Sequence, residues 1–350
     1  MSARTETDPA PAAMPGRAFR PEMLIWILAP PLVGVLSFLI GRYPVEPWTV
    51  VQVLAAQVLP IPETWSATVE TVVIDVRLPR VLGALCVGGC LSLSGAVYQG
   101  VFRNPLVSEF TLGVSAGAGF GAALAILLVN TRWAVQGSAF LFALLAVGVC
   151  FGLSRAYRAR SILVLVLCGI IVGSVFSSLL TLLKFVADPE SKLPVIEYWL
   201  MGSLSSVSMG DALSVLALAL PAATVILALR WRLNVLALGD DEARLLGMEP
   251  FRMRLTFVLC ATLMAAAAVS ISGIIGWVGL VIPHFARMLV GPDFRRLLPA
   301  SLSIGACYLL VVDNIARSVT QAEVPLGILT ALVGAPFFAV LLKRSFLGWN

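Results

Sequence analysis

The stretch RLPRVLGALCVGGCLSLSGAVYQGVFRNPLVSEFTLGVSAGAGFG, residues 77 to 121, is the part of the chain that decides its fold. It begins with two arginines, continues as an apolar run, and is interrupted by the polar sequence RNP before a second apolar run begins. Charges at one end and a polar interruption between two apolar helices are more typical of a transport pathway than of a simple membrane anchor.

The composition of the whole chain indicates a membrane protein. Hydrophobic residues make up 59% of the 350 residues and charged residues 12%, and the mean hydropathy is +0.96. A water-soluble domain of this size cannot bury so much apolar surface. The basic residues lie in short clusters between apolar runs, so the net charge of +5 reflects membrane topology and not nucleic-acid binding. We therefore predict an all-α polytopic membrane protein with no nucleic-acid partner.

The beginning of the chain differs from the rest. Residues 1–20 are rich in proline and alanine, and we predict a disordered cytoplasmic tail. They lack the order of a cleaved signal peptide, so the first apolar run is expected to be retained. The transmembrane domain is expected to cover residues 21–350. Its cysteines have neither disulfide nor zinc-site spacing and are expected to be small core residues. They are Cys86, Cys90, Cys150, Cys168, Cys260 and Cys307.

Apolar runs of roughly 20 residues predict ten membrane-spanning helices. They lie near residues 22–41, 78–102, 111–129, 133–154, 162–186, 212–229, 254–272, 279–289, 298–316 and 325–343. The run at 279–289 is too short to cross alone, and the glycine-rich stretch 272–279 before it is expected to be non-helical backbone enclosed by protein. Short interrupted helices usually mark a transport pathway.

The distribution of lysine and arginine predicts the orientation of these helices. With a cytoplasmic N-terminus, 17 of the 24 basic residues lie on the inner side and 7 on the outer side. Because basic residues concentrate on the cytoplasmic side, both termini are predicted to be cytoplasmic.

Enzymatic motifs are absent from the sequence. None of the three lysines follows a glycine, so the phosphate-binding loop of an ATPase is missing. There is one histidine, His284, and neither a zinc-hydrolase nor a serine-hydrolase motif, so we predict no catalytic residue and no metal site. The glycines at 113, 117, 119 and 121 fit close helix packing better than dinucleotide binding.

Residues for ion coupling are also scarce, because the centres of the predicted helices carry almost no charge. Asp313 and Arg317 lie one helical turn apart near the outer end of the ninth helix. We expect them to neutralise each other while Arg317 reaches the surface. The free energy for transport is therefore expected to come from another protein.

Residues 233–254, between the sixth and seventh predicted helices, are suited to receive that energy. The acids at 240–242 suit the start of a short helix, and Gly247 suits its end. Leu238, Leu245 and Leu246 could enter a groove of a partner, with Glu242 and Arg244 at its rim. An ordinary loop helix lying on lipid is an equally good interpretation of the residues alone.

Six blocks, taken together, resemble the FecCD-type permease family, the membrane subunits of ATP-binding-cassette importers for iron chelates, haem and cobalamin. The resemblance covers roughly residues 70–343. The blocks are RLPR at 77–80, QGVFRNPL at 99–106 with LGVSAG at 112–117, the segment 237–247, GLVIPHFAR at 279–287, DNIAR at 313–317 and VPLGILTALVGAPF at 324–337.

The resemblance implies a type II ABC importer permease fold and an assembly in the bacterial inner membrane. A second permease subunit, identical or related, two cytoplasmic ATPase subunits and one periplasmic binding protein complete it. The chain itself is expected to bind no cofactor, since ATP and Mg belong to the ATPase subunits. The resemblance also assigns the ATPase contact to the coupling segment. Its residues are Leu238, Gly239, Asp240, Asp241, Glu242, Ala243, Arg244, Leu245, Leu246 and Gly247.

Two further groups of residues acquire roles from the resemblance. Arg77, Arg80 and Arg317 resemble basic residues that accept acidic side chains of the binding protein; headgroup anchoring by snorkelled arginines is the alternative. Residues resembling an inner gate or facing the central axis form the second group, and a tight turn with an Asn cap is an equal alternative for the gate. This group comprises Asn104, Pro105, Leu106, Ser174, Ser177, Ser178 and Thr181.

The sequence departs from the family pattern at residues 107–110, where VSEF stands in place of an Ala-Asp-Pro-like sequence and adds Glu109 near the gate. The expected function is import of an iron-siderophore complex or a related metal chelate, with haem or cobalamin as alternatives. An ion-driven carrier and a membrane scaffold without transport activity are the remaining alternatives. His284 is expected to be structural and not a haem ligand.

Overall fold

The computed structural model describes residues 22–156, 162–320 and 322–347, and contains no strand within these ranges. The predicted disordered tail, residues 1–20, lies outside them. The described helices are α1 (Glu22–Ser37), α2 (Pro47–Ala56), α3 (Ala67–Glu70), α4 (Leu78–Phe102), α5 (Val114–Leu128), α6 (Arg132–Ala156), α7 (Ile162–Val186), α8 (Leu193–Met201), α9 (Met209–Leu238), α10 (Asp240–Leu245), α11 (Pro250–Ser272), α12 (Val278–Val290), α13 (Phe294–Ser318) and α14 (Leu326–Leu347). A π-helical turn, Thr71–Arg77, joins α3 to α4.

Each of the ten predicted spans coincides with one of these helices. Six stretches of the described chain are long and apolar enough to cross a membrane by length and composition, and five shorter apolar helices accompany them. The sixth predicted span was too short, because α9 continues as one helix from Met209 to Leu238 despite Pro221 in its interior.

Three helices, α2, α3 and α8, were not predicted. Both α2 and α8 begin with a proline in the first turn, where the missing N–H costs nothing, and this was the available signal for them. Each has 10 residues or fewer, so a search for runs of membrane length passes over them.

Helix α4 forms the centre of the core and packs against α13, α11, α9 and α12. Its contact with α12 requires glycine, because a Cβ at Gly95 would overlap the carbonyl oxygen of Gly279. Small residues allow helix backbones to approach closely in a membrane, where packing and not hydrophobic burial holds helices together. The α4 side chains are accordingly almost all buried.

Helices α5, α6 and α7 form a second group beside this core. A Cβ at Gly117 or Gly121 would overlap the α6 carbonyls of Phe142 and Ser138. The predicted packing role of these glycines is therefore confirmed.

Among the helices shorter than a membrane span, α5 and α12 each follow a stretch of irregular backbone. The 15 residues of α5 and the 13 residues of α12 span about 22 and 20 Å, against a hydrocarbon core of about 30 Å. Irregular backbone precedes both helices: residues 103–113, here the inner loop, precede α5, and residues 273–277, here the break, precede α12. The non-helical stretch predicted at residues 272–279 is thus confirmed but is shorter than predicted, because Ser272 ends α11 and α12 begins at Val278.

Candidate functional site

The inner loop and the break meet inside the protein. The ring of Phe110 lies against Gly276, at 3.6 Å from the position a Cβ would take there. Glu109 reaches Gly279 in the first turn of α12, where a Cβ would overlap its carboxylate. Two segments of irregular backbone, one from each interrupted helix, are thus brought together next to α4.

Glu109 is an unusual residue at this meeting point. It is 1% exposed, and neither carboxylate oxygen makes a hydrogen bond of ordinary geometry with the described residues. The N-terminal end of α12 carries a partial positive charge, which favours an acid at this position. The sequence indicated an extra acid near the gate, and the structure shows that it is buried against the helix that follows the break.

The inner loop begins where α4 ends. Arg103 ends the helix in the left-handed conformation, with φ of 50°, and Asn104 accepts a hydrogen bond from the Leu106 amide at 2.9 Å. This is the tight turn with an Asn cap that the sequence allowed. Asn104, Pro105 and Leu106 are all exposed, so the turn lies at the surface, and the gate role of these residues stays a prediction.

Asp240 connects the predicted coupling segment to this loop. Its Oδ1 accepts hydrogen bonds from Arg103 Nη2 at 3.0 Å and from Arg254 Nη2 at 2.7 Å. Arg103 immediately precedes Asn104, and Arg254 lies in the first turns of α11. One carboxylate therefore ties α10 to the inner loop and to a core helix. Sequence analysis did not find this contact because its partners are far apart in the chain.

Helix α10 itself follows the prediction closely. It runs from Asp240 to Leu245, and Gly247 follows with φ of +76°. Ala243 is fully buried, whereas Leu245 and Leu246 are 88% and 63% exposed and Leu238 is 62% exposed. The apolar side chains proposed for a partner groove therefore point out of the chain. The ends of the 233–254 segment belong to α9 and α11, so the loop between those helices is shorter than predicted.

The three arginines proposed for docking lie close together, where the N-terminal end of α4 meets the C-terminal end of α13. Arg77, Arg80 and Arg317 are 3%, 6% and 6% exposed. Arg80 Nε and Nη2 donate to Asp313, and its Nη1 and Nη2 donate to Glu323 at 2.8 and 2.9 Å. Arg77 donates to the carbonyl oxygens of Phe38 and Tyr43.

This arrangement corrects one expectation. Asp313 pairs with Arg80 at 2.9 Å across the α4–α13 contact, and only at 3.9 Å with Arg317 of its own helix. Arg317 does not reach the surface, because its guanidinium donates to Ser37 and Asn314. The docking role of the three arginines stays a prediction, and their charges are buried in the isolated chain.

The hydroxyl residues proposed for the pathway share one exposed face of α7. Ser174, Ser177, Ser178 and Thr181 are all exposed, while the other face of α7 packs on α5. Ser174 donates to Ile170 O and Thr181 to Ser177 O, so these hydroxyls are satisfied by their own helix. An exposed face with four hydroxyls among apolar residues suits a second subunit or a path better than lipid alone. This face too stays a prediction.

The described residues contain no cluster of three or more candidate metal ligands. His284 is half-buried, with its ring 6.5 Å from that of Phe338. All six cysteines are free, and three of them are fully buried.

Comparison with known proteins identifies the family of the chain. The sequence profile of the FecCD transport family matches residues 29–344. The chain belongs to the FecCD transport family. This FecCD permease is 42% identical over 313 residues to the molybdate import system permease protein MolB of Haemophilus influenzae, covering 89% of this chain and 92% of that one.

Two further relatives agree with this assignment. An iron chelatin transport system permease protein of Helicobacter pylori is 42% identical over 280 residues, 80% of this chain and 84% of its own. A solved structure described as the inward-facing conformation of a metal-chelate type ABC transporter superposes with a TM-score of 0.82. It is 40% identical, and the match covers 92% of this chain and 99% of that one. This FecCD permease is thus an all-α, multi-pass ABC transporter subunit with the type II importer fold.

Proposed function

We propose that this permease carries a metal chelate, foremost an iron-siderophore complex, from a periplasmic binding protein to the cytoplasm, using ATP hydrolysed by separate subunits. The contact between Asp240 and Arg103 supports the coupling to ATP hydrolysis in this proposal. It joins a short, surface-exposed helix, α10, to the inner loop that precedes α5. A partner that moves α10 therefore also pulls on the backbone that meets the break.

The proposed orientation puts α10 in the cytoplasm and the arginines Arg77, Arg80 and Arg317 on the periplasmic side. The excess of basic residues on the α10 side supports this orientation. The exposed leucines of α10 then face two ATPase subunits, which hold ATP and Mg, and no cofactor binds to this chain. A second permease subunit, identical or related, covers the hydroxyl-bearing face of α7, and the assembly resides in the bacterial inner membrane.

Specificity is expected to rest mainly on the binding protein. Two of the four hydroxyls on the α7 face, those of Ser174 and Thr181, are already bonded to their own helix, and such groups provide little discrimination between cargoes. Haem and cobalamin remain variants of the same proposal.

Molybdate is a second candidate cargo, favoured by a specific observation. The molybdate permease of Haemophilus influenzae matches 89% of this chain, a longer stretch than the iron chelatin permease of Helicobacter pylori matches. Molybdate is a small oxyanion and a ferric siderophore is a large chelate, so one binding protein is expected to hold only one of them.

Two measurements decide between these cargoes. Titration calorimetry of the cognate binding protein with ferric siderophores, haem, cobalamin and molybdate identifies the ligand. Uptake of that ligand by cells is then compared with and without this permease. Metal-chelate import predicts tight binding of a chelate and loss of its uptake on deletion, whereas molybdate binding alone would overturn the chelate proposal.

The ATPase contact has its own test. Leu245→Asp and Leu246→Asp place a charge on the exposed apolar side of α10 without touching buried Ala243. We expect the ATPase subunits to be lost from affinity-purified permease while the membrane part stays folded. Arg252→Gln, which alters an exposed pair with Glu249 outside α10, is the matched control. Normal recovery of the ATPase with either leucine variant would contradict the contact.

A further inference from the structure

Glu323 occupies the more exposed side of the Arg80 guanidinium. The pair is bidentate, with Nη1 to Oε1 at 2.8 Å and Nη2 to Oε2 at 2.9 Å. The other side of the same guanidinium donates to Asp313 from Nε and Nη2. All three nitrogens of Arg80 therefore donate within the chain, and both of its bidentate positions are occupied, so a carboxylate from another protein can pair with it in this manner only by displacing one of the two.

The two carboxylates that hold Arg80 differ in how firmly they are fixed. The Asp313 side chain is 0% exposed and belongs to α13, which packs along α4. The Glu323 side chain is 26% exposed and lies in the irregular connection between α13 and α14. Glu323 can therefore leave Arg80 without displacing a helix, whereas Asp313 cannot.

The cluster as a whole carries excess positive charge. Four arginines, Arg42, Arg77, Arg80 and Arg317, share two carboxylates, Asp313 and Glu323, which leaves two positive charges uncompensated. Within the described part of the chain, the bonds of the Arg77 guanidinium go to backbone carbonyls alone. Arginine binds carboxylates in a bidentate, charge-assisted manner, so an acidic side chain is the partner group that this surface fits.

We propose that Glu323 is an internal stand-in for an acidic side chain of the binding protein, and that docking exchanges one carboxylate for the other on Arg80. This proposal rests on the docking role proposed for the arginines. The exchange keeps Arg80 paired at every stage, so a buried arginine is never left without a carboxylate. Competition from Glu323 also weakens docking, which keeps it reversible between transport cycles.

The test measures the affinity of the cognate binding protein for the purified permease complex in lipid nanodiscs. Glu323→Gln removes the competing charge while keeping the size of the side chain. We expect docking about three- to fivefold tighter at low salt, which is the range of an exposed ion pair. Glu323→Ala, which removes the hydrogen bonds as well, is expected to tighten docking at least as much.

A matched control separates this exchange from a general charge effect. Asp75→Asn removes one negative charge from an exposed residue close to Arg77 in sequence, and Asp75 has no ion pair in the structure's described residues. If Glu323→Gln and Glu323→Ala tighten docking no more than Asp75→Asn does, the stand-in proposal is wrong.

Arg77→Gln distinguishes this failure from failure of the docking role. Weaker docking by Arg77→Gln with unchanged docking by both Glu323 variants would refute the stand-in alone. Unchanged docking by all three variants would refute the docking role of the cluster and the stand-in with it. Thermal unfolding of each variant in detergent checks that the proteins compared are folded.

Discussion

The two ends of the molecule carry ion clusters of the same composition with the signs of the charges reversed. At one end a single arginine, Arg80, lies between the carboxylates of Asp313 and Glu323. At the other end a single carboxylate, Asp240, lies between Arg103 and Arg254. In each cluster, one partner of the central residue is buried on a core helix, namely Asp313 or Arg254. The other partner, Glu323 or Arg103, is more exposed and lies in irregular backbone.

The difference lies in which charge can be exchanged. Glu323, an acid, is the more exposed partner in the Arg80 cluster, and Arg103, a base, is the more exposed partner in the Asp240 cluster. Buried pairs are costly to break and hold helices in place, whereas exposed pairs contribute little and can change partners. Each end thus combines a fixed contact to the core with a contact that a partner protein can replace or move.

The largest expected effect comes from breaking the fixed contact of the Arg80 cluster. Asp313→Asn leaves Arg80 and Arg317 buried with less negative charge, and breaking such a buried pair costs about 3–5 kcal/mol. Thermal unfolding of the purified permease in detergent measures this loss. Glu323→Gln is the control, with a loss of at most about 1 kcal/mol because that pair is partly exposed. Equal stability of both variants would remove the distinction between fixed and exchangeable members.

Variants of the Asp240 cluster are expected to have an intermediate effect. They should reduce the coupling of ATP hydrolysis to transport more than the stability of the fold. Asp240→Asn weakens both contacts and Arg103→Gln removes one, so movement of α10 no longer reaches the inner loop. We expect ATP hydrolysis to continue in the reconstituted complex while the amount of cargo imported per ATP falls about three- to tenfold, as loss of 0.6–1.4 kcal/mol of coupling implies.

Two variants make this measurement specific. Asp241→Asn removes a charge from the same helix, but the one ion pair of Asp241 with a described residue is with Arg244 of α10, so coupling is expected to stay normal. Arg103→Lys keeps the positive charge and is expected to restore most of the coupling. If Asp240→Asn transports as much cargo per ATP as the unmodified protein, the contact is only structural.

The smallest expected effect is on pH dependence. Burial alone would raise the pKa of Glu323, but its hydrogen bonds with Arg80, together with the positive charges of Arg80, Arg42 and Arg317, outweigh burial and hold the pKa below the usual 4.5. The pair therefore stabilises the fold above pH 4.5, and this contribution is lost as the pH falls through the lowered pKa. It should remain constant between pH 6 and 8.

Unfolding temperatures measured from pH 7 down to pH 4, for the unmodified protein and Glu323→Gln, check this expectation. The difference in stability between the two proteins should become smaller toward pH 4, and it should nowhere exceed about 1 kcal/mol. A difference that grows on acidification would contradict the assigned ion pair.

Sequence reasoning found the elements whose signal is local. Long apolar runs, the short eighth span and the Gly-rich stretch before it each follow from the residues themselves, because a bilayer imposes both a length and internal hydrogen bonding. The start of α10 at Asp240 and its end before Gly247 follow from helix-end preferences. Helices α2 and α8 were missed because their signals are weaker than that of a membrane span.

The pairing of charges was out of reach of the same reasoning. Asp313 and Arg317 have the spacing of a helical pair, yet Asp313 pairs with Arg80, more than 200 residues away. The spacing of Asp313 and Arg317 does place them on one side of α13, but Arg80 from the adjacent helix α4 donates two hydrogen bonds to Asp313. The Asp240 contact with Arg103 and the burial of Glu109 against Gly279 depend on distant residues in the same way.

The sequence by itself determined that this protein is an all-α membrane permease with interrupted helices and a short helix, α10, between two of its spans. Apolar length, helix ends and charge clusters are local properties, and the bilayer makes them decisive. Only the tertiary structure decided that Arg80 is already paired with Glu323, that Asp240 joins α10 to the inner loop, and that residues 103–113 meet residues 273–277. Those contacts arise where α4 packs closely against its neighbours, and packing between distant segments has no signature in the spacing of residues along the chain.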